Sequence, residues 1–157
     1  LATGQVLSYD RLVLAPGNPL KIKGIAGLKS RKARIMQRQA AAGSHLLLLH
    51  YLDKARIEPG DLQFVHPPVA SETEVGLAIV EGRADAGLAI EAVARQFRLA
   101  FVPLAEERFE IALRRKTYFA APTQALFAFA RTSAFKRRAA ALGGYDVAET
   151  GTVVWNG

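Results

Sequence analysis

Residues 71–104 read SETEVGLAIVEGRADAGLAIEAVARQFRLAFVPL, and the hydrophobic period of this stretch switches back and forth. Ser71-Glu72-Thr73-Glu74 matches a capping box, in which a serine hydroxyl and a glutamate three residues later satisfy each other's backbone donors. A helix is expected over residues 72–81, with Val75, Ala78 and Ile79 on its apolar face and Gly82 as its stop. The run Asp85-Ala86-Gly87-Leu88-Ala89-Ile90 then reads as a short buried strand. Residues 91–97 form a second helix and residues 100–104 a second strand. Strands alternating with helices predict an α/β domain with a largely parallel sheet.

The alternation extends in both directions. Upstream, residues 6–15 end in an apolar run stopped by Pro16-Gly17-Asn18-Pro19, a strand entering a tight turn. Residues 23–32 are a basic, weakly amphipathic helix or loop, and residues 33–37 a short strand. Leu46, Leu47, Leu48, Leu49, Tyr51, Leu52 and Ala55 cover most of a helix surface over residues 43–56, which predicts a largely buried helix. It ends before Glu58-Pro59-Gly60-Asp61. A strand over residues 62–65 should close at His66-Pro67-Pro68. Downstream, residues 109–113 read as another strand. Two helices finish the chain, one from about Pro122 to Arg131, the other capped by Thr132/Ser133 and ended by Gly143-Gly144.

The chain has 157 residues, half of them apolar, enough for a sizeable core. It has no cysteine, which removes disulfides, thiolate metal sites and a cysteine nucleophile. No unbroken apolar run, Leu46 to Leu49 included, approaches the roughly 20 residues a membrane helix requires. The opening residues lack a basic region followed by an apolar one, so a cytoplasmic location is expected. A periplasmic one stays open if a signal peptide has been removed.

The formal net charge of +7 is unevenly spread. Residues 1–52 hold eight basic and one acidic residue, residues 53–110 six and eleven, and residues 111–157 seven and two. Basic clusters lie at residues 21–38, 114–116 and 136–138. Such surfaces attract anions, from nucleic acid to small oxyanions, or simply keep a protein solvated.

In open α/β sheets, ligands gather at the carboxyl ends of strands, beside helix N-termini. The turn Arg38-Gln39-Ala40-Ala41-Ala42-Gly43-Ser44-His45 is the most informative such place. A helix N-terminus presents unpaired amides and about half a positive charge. No acidic residue occurs between Asp10 and Asp53 to occupy this one. A glycine-containing turn, the Ser44 hydroxyl and the flanking Arg38 and His45 suit an oxyanion or carboxylate, although an ordinary serine cap fits the same pattern. The residue 71–74 terminus already carries two carboxylates and is a poor anion site, with Thr73 still able to reach a ligand in a cleft.

Catalytic patterns are weak. His45, His50 and His66 are the only histidines, and a spacing of five puts the first two about 140° apart on a helix. They cannot share a metal from one helical face, so no metal or other cofactor is expected. Glu106, Glu107 and Glu110 around Arg108 read as a solvated, partly paired cluster. No nucleophile elbow, P-loop or dinucleotide fingerprint is present.

Several motifs occur in order: Leu14-Ala15-Pro16-Gly17-Asn18-Pro19, Arg38-Gln39 with its Gly/Ser turn, Gly82-Arg83-Ala84-Asp85-Ala86-Gly87-Leu88-Ala89-Ile90-Glu91, Pro103-Leu104-Ala105-Glu106-Glu107-Arg108, and Leu142-Gly143-Gly144-Tyr145-Asp146. Together they resemble the periplasmic-binding-protein-like (type 2 solute-binding) domain related to molybdate-binding proteins, found attached to helix-turn-helix regulators and to molybdopterin-biosynthesis proteins. The resemblance covers nearly the whole chain, and the 82–91 stretch is its most specific part. It implies one α/β periplasmic-binding-protein-like unit over residues 1–157. Residues 17–104 would make a complete second lobe, and residues 1–16 and 105–157 the crossing strands and a partial first lobe.

The family's turn resembles Arg-Gln-x-Gly-Ser-Gly-Thr-Arg. Arg38, Gln39, Gly43 and Ser44 keep its character here, whereas Ala41 and Ala42 replace a glycine and a serine, and His45 replaces the second arginine. A partly protonated His45 would compensate at lower pH. Thr73 and Glu91 match positions facing the cleft. The implied ligand set is therefore Arg38, Gln39, Gly43, Ser44, His45, Thr73 and Glu91, with no catalytic residue. The implied function is a non-catalytic sensor of a small anion such as molybdate or tungstate, acting with an attached DNA-binding or biosynthetic domain; a homodimer stays open. Two alternatives remain: the solute-binding component of an ABC transporter, and a nucleic-acid-binding module in which Lys29, Arg31, Lys32 and Arg34 track phosphates.

Overall fold

The structure is a computed structural model that describes residues 32–154 and, for the backbone, residues 12–15. It divides into one unit ending at Glu107 and a second beginning at Arg108.

The first unit is built on a five-stranded sheet. Its strands are β1 (Leu12–Ala15), β2 (Arg34–Arg38), β3 (Gln63–Val69), β4 (Ala86–Leu88) and β5 (Ala100–Pro103). The order across the sheet is β3-β2-β4-β1-β5 and every pair is parallel. Parallel strands need long crossovers, and helices supply them: α1 (Gly43–Lys54), α2 (Glu72–Val80) and α3 (Glu91–Phe97). This is the α/β class expected from the sequence.

Because side chains alternate along a strand, consecutive residues serve opposite faces. Ile35 and Leu88 join Leu48 and Leu52 of α1 in one core layer, with Ile57, Val102 and Leu104. Met36 and Ala89 join Val75, Ala78 and Ile79 of α2, with Val93 and Ala94 of α3, in the other. The sheet is thus covered on both faces, as parallel sheets require. Gly87 permits the tight approach of α2, since a Cβ there would collide with the Val75 side chain and lie 3.2 Å from the Met36 carbonyl.

Arg34 and Asp85 lock the entrance of β2 to that of β4. The Arg34 guanidinium donates through Nε and Nη2 to the two Asp85 oxygens at 3.0 and 2.8 Å. The Arg34 amide also donates to that carboxylate, while the Asp85 amide donates to the Arg34 carbonyl. The Asp85 hydrogen bonds and charge raise the pKa of Arg34.

Three expectations need correction. The helix over residues 43–56 buries only a stripe, Leu48 and Leu52, and Leu46 is 56% exposed. A helix packed on one sheet face buries one side, however apolar its sequence. The strand after Leu62 does not close at His66 but runs to Val69. Between Met36↔Val65 and Arg38↔Val69 the register shifts, so β3 carries extra residues at His66-Pro67-Pro68. Proline has no N–H for the ladder and is tolerated on this edge strand as a bulge. Finally, residues 109–113 form no strand. Phe109 is 92% exposed and its stretch pairs with no described strand.

The second unit holds α4 (Arg115–Tyr118), α5 (Ala121–Ala130) and α6 (Ser133–Leu142). Pro122 sits in the first turn of α5, and Thr132 Oγ1 accepts from the Phe135 amide at the start of α6. Tyr118 packs on Phe127, and Phe129 on Phe135. Arg131 donates to the Gly151 carbonyl at 3.0 Å, and Arg108 pairs with Glu149 at 3.5 Å. The expected strand over residues 6–15 is seen only at β1, and the expected element over residues 23–32 lies outside the described residues apart from Lys32.

Candidate functional site

β2 is flanked by β3 and β4, so the helices that follow these three strands begin side by side at one end of the sheet. The three N-termini differ in what occupies them.

At α1 nothing does. Its N-cap is Ala42, extended and with no side chain to offer, and its first turn has no acidic residue. Residues 39–42 form a turn closed by the Ala42 amide donating to the Gln39 carbonyl at 2.9 Å. The Gln39 amide donates to Val69 at 3.3 Å, which ties the turn to the end of β3. The amides of Gly43 and Ser44, first in the helix, have no intrahelical acceptor. A Cβ on Gly43 would meet nothing within 4 Å among the described residues, so the space beside this terminus is open.

Three buried side-chain polar atoms lack a hydrogen-bond partner among the described residues: Arg38 Nε, Ser44 Oγ and His45 Nδ1. All three belong to residues singled out from the sequence, and all belong to one strand–turn–helix junction. A buried polar group without a partner is costly, so such groups usually wait for one.

Arg38 is otherwise held in place. Its Nη2 donates to the Ala70 carbonyl at 2.9 Å, and Nη1 lies 3.8 Å from Glu72 Oε1. The register shift just before Arg38 is the kind of irregularity that re-aims a side chain at a site.

At α2 the terminus is filled. Ser71 Oγ accepts from the Glu74 amide at 3.2 Å, and Glu74 Oε2 accepts from the Ser71 amide at 2.7 Å. The Ser71 hydroxyl, which donates to Glu74 Oε2 at 3.0 Å, and then the Ser71 amide hold the Glu74 pKa below the ordinary glutamate value, with a smaller contribution from the charge of Arg38. Thr73 is exposed in this first turn. At α3, Glu91 pairs with Arg95 at 2.7 Å, and the Ile90 amide ahead of it donates to Glu72 Oε2 at 2.9 Å.

The structure therefore brings Arg38, Gln39, Gly43, Ser44 and His45 together at one junction, and sets Thr73 and Glu91 at the neighbouring termini. Sequence reasoning missed the part of Glu72, which had been read only as an occupant of its own helix. No linear pattern shows that its carboxylate reaches Ile90, 18 residues on. Of the basic residues at 21–38, Arg34 and Arg38 are engaged internally, and residues 21–31 lie outside the described residues. Among the described residues no group of three His, Cys, Asp or Glu side chains could hold a metal ion, and no helix is long and apolar enough to cross a membrane.

A family model described as "PBP superfamily domain" matches residues 9–131. The chain belongs to the PBP superfamily. Domains of this superfamily are ligand-binding modules, and membership agrees with the parallel α/β unit described above. Two curated relatives extend the comparison. The uncharacterized protein YvgK of Bacillus subtilis (strain 168) is 27% identical over 149 residues, which are 95% of this chain and 48% of that protein. The uncharacterized protein in the ferredoxin 2Fe-2S gene 5' region of Clostridium pasteurianum is 26% identical over 110 residues, 69% of this chain and 97% of that protein. The chain thus spans about half the length of its Bacillus relative. No solved structure matches the chain.

Proposed function

We propose that this PBP-superfamily chain is a non-catalytic binding domain for a small oxyanion, held at the N-terminus of α1. The observation that carries this reading is the trio of buried, unpartnered polar atoms on Arg38, Ser44 and His45. They lie beside a helix terminus that has no acidic residue and no capping side chain. A guanidinium N–H, a hydroxyl and first-turn amides are donors, and a cluster of donors suits an anion.

Residues 17–104 serve as the second lobe of a two-lobed binding unit, with residues 1–16 and 105–157 as crossing strands and part of the first. Lobe closure on the ligand would carry a signal to an attached regulatory or biosynthetic domain. Molybdate and tungstate, which the family resemblance suggests, are the reference ligands. The test is a thermal-shift and calorimetric titration of the protein against molybdate, tungstate, sulfate, phosphate and small carboxylates. The expected result is saturable stabilisation, amounting to about 2.7 kcal/mol at a hundred times the dissociation constant. Failure of every anion to bind would overturn the reading.

A further inference from the structure

We propose that Glu72 tunes the charge class of the ligand: by holding a carboxylate against Arg38, it lowers the site's affinity for doubly charged oxyanions more than for singly charged ones. This inference rests on the anion-binding reading of the α1 terminus and narrows it.

The argument begins with where Glu72 is anchored. Its Oε2 accepts from the Ile90 amide at 2.9 Å, so the carboxylate is pinned to the β4–α3 connection. That anchor leaves Oε1 turned to Arg38, 3.8 Å from Nη1. Both side chains are largely withdrawn from solvent, with 19% of Arg38 and 25% of Glu72 exposed. Their charges are therefore screened less than those of a surface pair. Arg38 also feels Glu74, whose carboxylate it helps to keep ionised.

The guanidinium is consequently no free fork for a bidentate grip. Its Nη2 is engaged by Ala70 and its Nη1 faces Glu72, which leaves Nε as the donor without a partner. An incoming anion meets one guanidinium donor, a hydroxyl and amide dipoles, with two carboxylates close behind the arginine. A single negative charge is accommodated by the amides and Nε. A second charge would face Glu72 without a second cation from this turn, where position 45 is histidine. Repulsion at such distances grows in proportion to the ligand's charge, so the carboxylate penalises a dianion about twice as much as a monoanion.

The test compares nitrate and formate with sulfate and molybdate by calorimetric titration, in the wild-type protein and in Glu72→Gln and Glu72→Asp. Glutamine keeps a carbonyl acceptor for the Ile90 amide while removing the charge. Glu72→Gln should shift the monoanion-to-dianion affinity ratio about tenfold toward the dianions. Glu72→Asp, which keeps the charge, should leave that ratio within about twofold of wild type. A ratio unmoved by Glu72→Gln, or moved equally by both variants, overturns the proposal. In each of those outcomes the anion-binding reading survives, whereas absence of binding by all four anions removes both.

Discussion

The N-termini of α1 and α2 sit at the ends of neighbouring strands and have opposite fates. At α2, Ser71 and Glu74 close a reciprocal cap, and Glu72 adds a second carboxylate to the same turn. At α1 an alanine takes the cap position and the first turn carries no acid. Both termini offer the same partial positive charge. One satisfies it with side chains of its own first turn; at the other no side-chain cap and no first-turn acid meets it. A helix that forgoes a cap forgoes about 1 kcal/mol, and the hydroxyl and imidazole left without partners add to that cost. The comparison separates a capped terminus from an uncapped one, and the proposed binding role belongs to the uncapped one.

The sharpest way to break it is to make α1 resemble α2. Ala42→Asp should supply the missing cap, raise stability by about 1 kcal/mol, and lower oxyanion affinity about a hundredfold as the aspartate takes the amides. Paired thermal melts and titrations read both effects; a stabilised variant that still binds with wild-type affinity would place the ligand elsewhere. Ser44→Ala should weaken binding about tenfold, the worth of one hydrogen bond to a charged group, with little change in melting temperature. The reverse outcome, lost stability with retained affinity, would make Ser44 a structural residue.

The mirror experiment is Ser71→Ala. It should cost about 1 kcal/mol in urea unfolding and leave oxyanion affinity at its wild-type value. The smallest effect concerns pH. Glu74 has its pKa depressed in the folded state, so its stabilising contribution is present above the ordinary glutamate value and fades as pH falls through the folded one. The stability gap between wild type and Glu74→Gln should therefore close on acidification. A gap that widens as pH falls would contradict the depressed pKa.

Much of this contrast was legible in the sequence because it is local. A capping box spans four residues, and the residue 71–74 pattern stood in the chain as it stands in the structure. The absence of acid around Ala42 was equally plain. The helix over residues 91–97, read from the sequence alternation, has the same bounds in the structure. What escaped were properties that depend on neighbours. The exposure of Leu46 follows from having a sheet on only one side of α1. The passage of β3 through two prolines required knowing that it is an edge strand. The reach of Glu72 to Ile90 depended on β2 lying between β3 and β4, an order that no local period encodes. The run at residues 109–113 had the composition of a strand but found no partner among the described strands.

The two outer strands of the described sheet share one feature. β3 contains Pro67 and Pro68, and β5 ends in Pro103. An outer strand with free amides is a template on which another chain can grow a sheet, the first step toward fibrils. Each proline deletes a donor from that template, and the irregular register at His66-Pro67-Pro68 bends it away from a flat ribbon. The cost in pairing at β3 thus protects a parallel sheet, a slow-folding architecture, from growing through its own margins while its core assembles.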